Sequence, residues 1–142
     1  VSARYTALIV DDEPDIRELL EITLNRMEVD TRSAADLAQA RDLLAGEDFD
    51  LCLTDMRLPD GSGIDFVRQI QQTKPEIPVA MITAHGNMES AIEALKAGAF
   101  DFVSKPVDLQ VLRSLVTTAL KLGNKSLESP TDKTESLLGA SA

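Results

Sequence analysis

Four short stretches of this 142-residue chain hold groups that could do chemistry together. They are Asp11-Asp12-Glu13, Thr54-Asp55, Thr83-Ala84-His85 and Ser104-Lys105-Pro106. Three carboxylates brought to one place (Asp11, Asp12 and Asp55) repel one another. Without a cation, at least one of their pKa values should rise. A hard, oxygen-loving ion is the remedy. Magnesium suits best, because it accepts a few carboxylates and keeps waters. Lys105 adds a second positive charge and Thr83 a hydroxyl donor. Carboxylate, metal, ammonium and hydroxyl together describe a site for a phosphoryl group on an aspartate. Asp55 would be the nucleophile. The metal and Lys105 would stabilise charge on the transferring phosphoryl oxygens.

The elements that must position these groups follow from the hydrophobic pattern. Ala7-Leu8-Ile9-Val10 is a continuous apolar run, as expected of a strand covered on both faces. Pro14 with acids around it marks a helix start. Ile16, Leu19, Leu20, Thr23, Leu24 and Met27 then recur at helical spacing. A weak strand near Val29 to Arg32 precedes a helix over Ala34 to Leu44, ended by Gly46. Asp50 to Thr54 is the third strand, and Gly63 to Thr73 a helix. Val79 to Thr83 is the fourth strand. Gly86-Asn87 opens a helix with Met88, Ala91, Ile92 and Leu95 as its inner stripe, closed by Gly98. Phe100 to Ser104 is the fifth strand. Asp108 caps a last helix, with Leu109, Leu112, Leu115, Val116, Ala119 and Leu120 inward and its end near Leu122. Five β-α units imply a parallel sheet with helices on both faces. In such sheets, ligands bind beyond the carboxyl ends of the strands, where strand order reverses. All four stretches lie at such ends.

Bulk properties narrow the function. Hydrophobic content of 44% and charged content of 27% suit one folded domain with a tail. A net charge of −10 argues against nucleic-acid binding by this segment, since phosphate attraction needs a basic face. No apolar run approaches membrane-spanning length, and Val1-Ser2-Ala3-Arg4 is not a signal peptide. The single cysteine, Cys52, reads as a small buried hydrophobe and fits a reducing cytoplasm.

The residues resemble the receiver domains of two-component response regulators. "LIVDDEPDIRELL" is similar to the family's acidic-pair segment and "DLCLTDMRLPDGSGIDFV" to its phosphoacceptor strand and loop. "PVAMITAHG" is similar to its switch-threonine strand and "GAFDFVSKP" to its aromatic switch and lysine. The resemblance covers Ala7 to Leu122. It implies a flavodoxin-like (CheY-like) doubly wound sheet of five parallel strands, order 2-1-3-4-5, with five helices. It implies that Asp55 takes phosphate from the phosphohistidine of a sensor histidine kinase. Asp12 would ligate Mg2+ directly, with Asp11 nearby through water, and the Arg57 carbonyl would complete the protein ligands. Thr83 and Lys105 would contact the phosphoryl group. Phe102 stands at the aromatic switch position, and Lys105-Pro106 would be a cis peptide.

Within the family, "GAFDFVSKPVD" and "MITAHGNMESAIEALKAG" resemble receivers of NtrC-type regulators, which drive sigma-54-dependent transcription, and "ALIVDDEPDIRELLEITL" and "DLCLTDMRLPDGSG" are especially similar to regulators of type IV pilin transcription. The expected organisation is a receiver over residues 5–122, a polar linker over 123–136, and the start of an AAA+ ATPase domain over 137–142, where "LLGASA" resembles the opening of that domain. The downstream AAA+ domain is then a partner in the full-length protein. A homodimer would form through the face of the fourth helix, fifth strand and fifth helix. No enzyme activity is expected beyond self-phosphorylation and self-dephosphorylation at Asp55.

Alternatives include the receiver of another NtrC-type regulator, answering nitrogen or dicarboxylates. A magnesium-dependent aspartyl-phosphate phosphatase needs a second acid two residues after the nucleophile, and that position is Arg57. A flavin binder would need phosphate-cradling Ser, Thr or Gly where Asp11-Asp12-Glu13 stands. The only histidine, His85, reads as a surface-loop residue near the site that tunes partner choice or dephosphorylation.

Overall fold

The computed structural model describes residues 5–84 and 86–128, with side chains as far as residue 122. His85 and residues 129–142 lie outside the described residues. So do the expected AAA+ opening and most of the expected linker.

The elements follow in the order β1 (Tyr5–Val10), α1 (Pro14–Arg26), β2 (Val29–Ala34), α2 (Leu37–Gly46) and β3 (Leu51–Thr54). Then come β4 (Arg57–Leu58), β5 (Gly61–Ser62), α3 (Gly63–Thr73), β6 (Val79–Thr83), α4 (Met88–Ala97), β7 (Asp101–Ser104) and α5 (Leu109–Glu128). Five strands form one parallel sheet in the order β2-β1-β3-β6-β7. Counting only these five, the order is the expected 2-1-3-4-5. The short strands β4 and β5 form a separate antiparallel pair that the sequence pattern did not announce.

The continuous apolar runs are explained by the two cores. Leu8, Val10, Cys52, Val79 and Met81 point to one face and pack with α2, α3 and α4 through Leu37, Phe66, Ile70 and Ala94. Their strand neighbours Ala7, Ile9, Leu51, Leu53, Ala80 and Ile82 point to the other, against α1 and α5 through Leu20, Leu24, Leu112 and Val116. Period-two alternation with both sides apolar is what a doubly covered strand requires.

The N-terminal caps predicted by residue type are made. Asp108 accepts from the backbone N–H groups of Gln110 and Val111 at 2.8 and 3.2 Å. Asn87 accepts from Ser90 at 2.8 Å.

Three expectations need correction. Ala34 ends β2 rather than opening a helix, because α2 begins at Leu37 behind its cap, Asp36, which accepts from Gln39 N–H. The inner stripe of α4 is not Met88, Ile92 and Leu95. These are exposed, Met88 by 78%, and the helix buries Ala94 and Ala97 instead. The small residues let α4 approach the sheet closely, and helical periodicity alone does not reveal which stripe does so. Third, α5 does not stop at Leu122. It continues through Gly123 and Asn124 to Glu128, two residues before Pro130. One glycine in a helix costs only about 1 kcal/mol, whereas proline and its predecessor are much stronger stops.

Candidate functional site

The direction of chain travel reverses across β1, which has β2 on one side and β3 on the other. Val10 pairs with both Ala34 and Thr54. The residues that follow, Asp11 and Asp55, therefore leave adjacent strands at the switch point of the sheet. Their backbones are fixed by the sheet itself. Asp11 N–H donates to the Ala34 carbonyl at 3.0 Å and Asp55 N–H to the Val10 carbonyl at 2.8 Å.

Side chains of Asp11, Asp12 and Asp55 bring carboxylate oxygens within 4.8 Å of one another. Asp11 and Asp55 are buried and Asp12 is exposed. The set fits a hard divalent cation: every donor is oxygen, and the exposed edge leaves room for the waters that magnesium keeps. The arrangement is the one expected from the sequence.

Each buried carboxylate divides its two oxygens in the same way. One Asp11 oxygen accepts Glu13 N–H at 2.9 Å and the other faces Lys105 Nζ at 2.9 Å. One Asp55 oxygen accepts Met56 N–H at 2.6 Å and the other faces Lys105 Nζ at 3.2 Å. Lys105 also contacts Glu13 Oε1 at 3.0 Å. Its side chain is only 9% exposed. Burial pulls the ammonium toward neutrality. The hydrogen bonds that the ammonium donates to Asp11 and Glu13, with the charges of Asp11 and Asp55, outweigh it and hold the lysine pKa above its ordinary value. The Asp11 carboxyl is pushed up, as the crowding argument predicts, though the main cause is burial and the charge of Asp55 is secondary.

Thr83 ends β6, fully buried, and its carbonyl accepts Lys105 N–H at 2.9 Å. Thr83 pairs with Ser104, so the lysine follows directly from the neighbouring strand end. The Lys105-Pro106 bond is cis, as expected. Phe102 is half-buried against the α2–α3–α4 core, and its ring edge lies beside Gly86 in the loop after Thr83. Arg57 lies in β4 with its side chain exposed, and no acid stands at that position.

Several contributors were not identified from the sequence. Glu13 read as part of a helix start, yet its side chain makes no cap and reaches Lys105 instead. Arg17 donates to the Asp11 carbonyl at 2.7 Å. Gly63 opens α3 hard against the acceptor strand: a Cβ there would sit 1.9 Å from the Asp55 carbonyl oxygen. Asp60 accepts from Leu37 and Ala38 N–H at 2.8 and 3.0 Å, tying the β4–β5 hairpin to the N-terminus of α2. Its carboxyl is held below the usual carboxylate range, chiefly by the Leu37 hydrogen bond. The loop in "LPDGSG" is therefore clasped to α2 through Asp60.

A family profile described as the response regulator receiver domain matches residues 7–117. The chain belongs to this family. It is 66% identical over 140 residues to the response regulator protein PilR of Pseudomonas aeruginosa, covering 98% of this chain and 31% of PilR. The chain thus spans less than a third of that relative. Among solved structures, NtrX from Brucella abortus, in complex with ADP, superposes with a TM-score of 0.83 at 32% identity, covering 98% of this chain and 31% of NtrX. The beryllofluoride-activated NtrC4 receiver domain dimer superposes with a TM-score of 0.78 at 29% identity, covering 82% of this chain and 96% of that one. The flavodoxin-like, CheY-like architecture is shared with them. The chain is a receiver domain of a two-component response regulator with NtrC-type relatives. No helix among the described residues is long and apolar enough to cross a membrane.

Proposed function

We propose that Asp55 is the phosphoryl acceptor of a receiver that controls an AAA+ output domain in sigma-54-dependent transcription. The observation that carries the reading is the Asp55 carboxylate itself. It is nearly buried at the switch point, clustered with Asp11 and Asp12, and 3.2 Å from Lys105 Nζ.

In this reading an Asp55 carboxylate oxygen attacks the phosphorus of a kinase phosphohistidine. The new P–O bond forms as the P–N bond breaks, and the imidazole leaves with its electron pair. Lys105 supplies positive charge to the transferring oxygens, and Met56 N–H orients the acceptor carboxylate. Asp11, Asp12, Asp55 and the Arg57 carbonyl would hold magnesium, which when bound supplies charge to the phosphoryl oxygens and relieves the repulsion among the carboxylates. Thr83, buried in the present packing, turns its hydroxyl to the modified aspartate. Phe102 follows into the space released, and the face of α4, β7 and α5 is reshaped. This is a population shift between two packings, driven by new charge and acceptor oxygens.

The exposed Met88, Ile92 and Leu95 on α4 give that face its apolar content and support its use in homodimerisation. The NtrC4 neighbour, solved as an activated dimer, supports the same assembly. Similarity to PilR supports a role in type IV pilus gene transcription, in the cytoplasm, under a sensor histidine kinase. The experiment is phosphotransfer from an autophosphorylated histidine kinase in the presence of magnesium. The chain should acquire label and Asp55→Asn should not. Equal labelling of both would overturn the assignment.

A further inference from the structure

An ammonium has three N–H donors. Around Lys105 stand three carboxylates: Asp11 at 2.9 Å, Glu13 at 3.0 Å and Asp55 at 3.2 Å. The lysine is saturated. If it is to meet the oxygens of a transferring phosphoryl group, one of these partners must let go.

The three are not equally free to do so. Asp55 is the acceptor and stays. Asp11 is 2% exposed and is pinned through its second oxygen by Glu13 N–H. Releasing it would strand a charge away from water. Glu13 is 57% exposed, so its carboxylate passes into solvent at small cost. It stands at the N-cap of α1 without capping the helix, so its side chain has no second duty there. Nor does it belong to the acidic cluster that fits a metal.

We propose that Glu13 is a positioning residue that holds Lys105 before phosphorylation and whose release lets the lysine engage the phosphoryl group. The inference rests on Asp55 being the acceptor. Its backbone N–H holds Asp11, but its carboxylate meets Lys105 rather than the nucleophile or the metal-binding carboxylates. It acts only through Lys105, as a third carboxylate competing with the incoming phosphate for one cation.

The test measures phosphorylation by a small acyl phosphate with magnesium, in wild type, Glu13→Gln and Glu13→Asp. Glutamine keeps the shape and loses the charge. Aspartate keeps the charge but is one methylene too short for the contact. Both variants should be phosphorylated faster, by about three- to tenfold, the range for losing part of one charge-assisted hydrogen bond at a half-exposed site. A separate readout needs no phosphate. In magnesium-free protein, exchange of the Lys105 ammonium protons with water, followed by NMR, should quicken in both variants.

Acceleration in Glu13→Gln with Glu13→Asp at the wild-type rate would mean simple repulsion of the anionic donor, and would overturn the proposal. So would unchanged or slower rates in both with Lys105 exchange unaltered. The underlying reading fails differently: wild type would gain no phosphoryl group, or Asp55→Asn would gain one.

Discussion

Replacing Lys105 by methionine isolates the electrostatic problem at this site. The side chain keeps an apolar stem as long as the lysine's carbon chain and loses the ammonium, with its charge and its donors. Asp11 and Asp55 are then left facing each other without the cation that lies 2.9 and 3.2 Å from them. Breaking a buried pair by removing one partner costs about 3–5 kcal/mol. Here the cost is discounted, because Glu13 is solvent-exposed and the cluster has an open edge at Asp12. About 2–3 kcal/mol remains, or roughly 10 °C in melting temperature for a domain of this size.

The loss should be greatest at neutral pH with a chelator present. Millimolar magnesium, at constant ionic strength, should narrow the gap between variant and wild type, because one cation substitutes for the other. The pH dependence has a definite sign. The folded-state pKa of Lys105 lies above its ordinary 10.5, so its contribution is complete below 10.5 and fades as pH rises beyond it. Wild type should therefore converge on the variant in strong alkali. Asp11 has linkage of the same sign in a lower pH window. Its carboxyl is pushed up by burial first, so its charged form costs stability above 3.8, and the variant should recover as pH falls toward the carboxylate range. Urea or thermal melts across these conditions are the assay. A variant that melts with wild type in chelator, or a gap untouched by magnesium, would refute the reasoning.

Other outcomes follow from single contacts. Glu28 has φ of 65°, a left-handed conformation that costs a non-glycine residue about 1–2 kcal/mol, and Glu28→Gly should raise the unfolding free energy by up to about 1 kcal/mol after the entropy of glycine is deducted, seen as a higher urea midpoint; a lower midpoint would contradict this. Gly63→Ala should destabilise by about 2–3 kcal/mol or more and impair phosphorylation, because the added Cβ meets the Asp55 carbonyl; an unperturbed melt would show that α3 can shift at no cost. Asp60→Ala should quicken hydrogen exchange at Leu37 and Ala38 and flatten part of the acid limb of the stability curve. The Asp60 carboxyl is lowered in the fold, so its contribution is present above 3.8 and lost as pH falls through the folded value. Unchanged amide exchange would remove Asp60 from that role.

The strands at the centre of the sheet were legible because burial on both faces leaves a distinctive run, as in Ala7 to Val10 and Val79 to Thr83. The acidic cluster was legible for a related reason. Once five β-α units are assigned, topology alone sends Asp11, Asp12, Asp55, Thr83 and Lys105 to one edge. Less local features were hidden. The polarity of α4 inverts the obvious reading, because alanines make the buried stripe and larger apolar residues face solvent. The reach of α5 through Gly123 depended on weighing a modest glycine cost against the stronger stop at Pro130. The clasp of Asp60 on α2 joins residues 23 positions apart, and its sequence looks like an ordinary turn. Glu13 was hidden by a plausible local role, since acids favour helix starts. Only the position of Lys105, brought from β7, shows that the side chain serves the site.

The central claim is that Asp55 itself becomes the acyl phosphate. Its most direct test is borohydride reduction after incubation with a small acyl phosphate and magnesium, followed by peptide mass spectrometry. Reduction turns a phosphorylated aspartate into homoserine. The account predicts homoserine at position 55 alone, dependent on magnesium and absent without the phosphodonor. Homoserine at another carboxylate with Asp55 intact, or phosphoryl incorporation undiminished in Asp55→Asn, would contradict it.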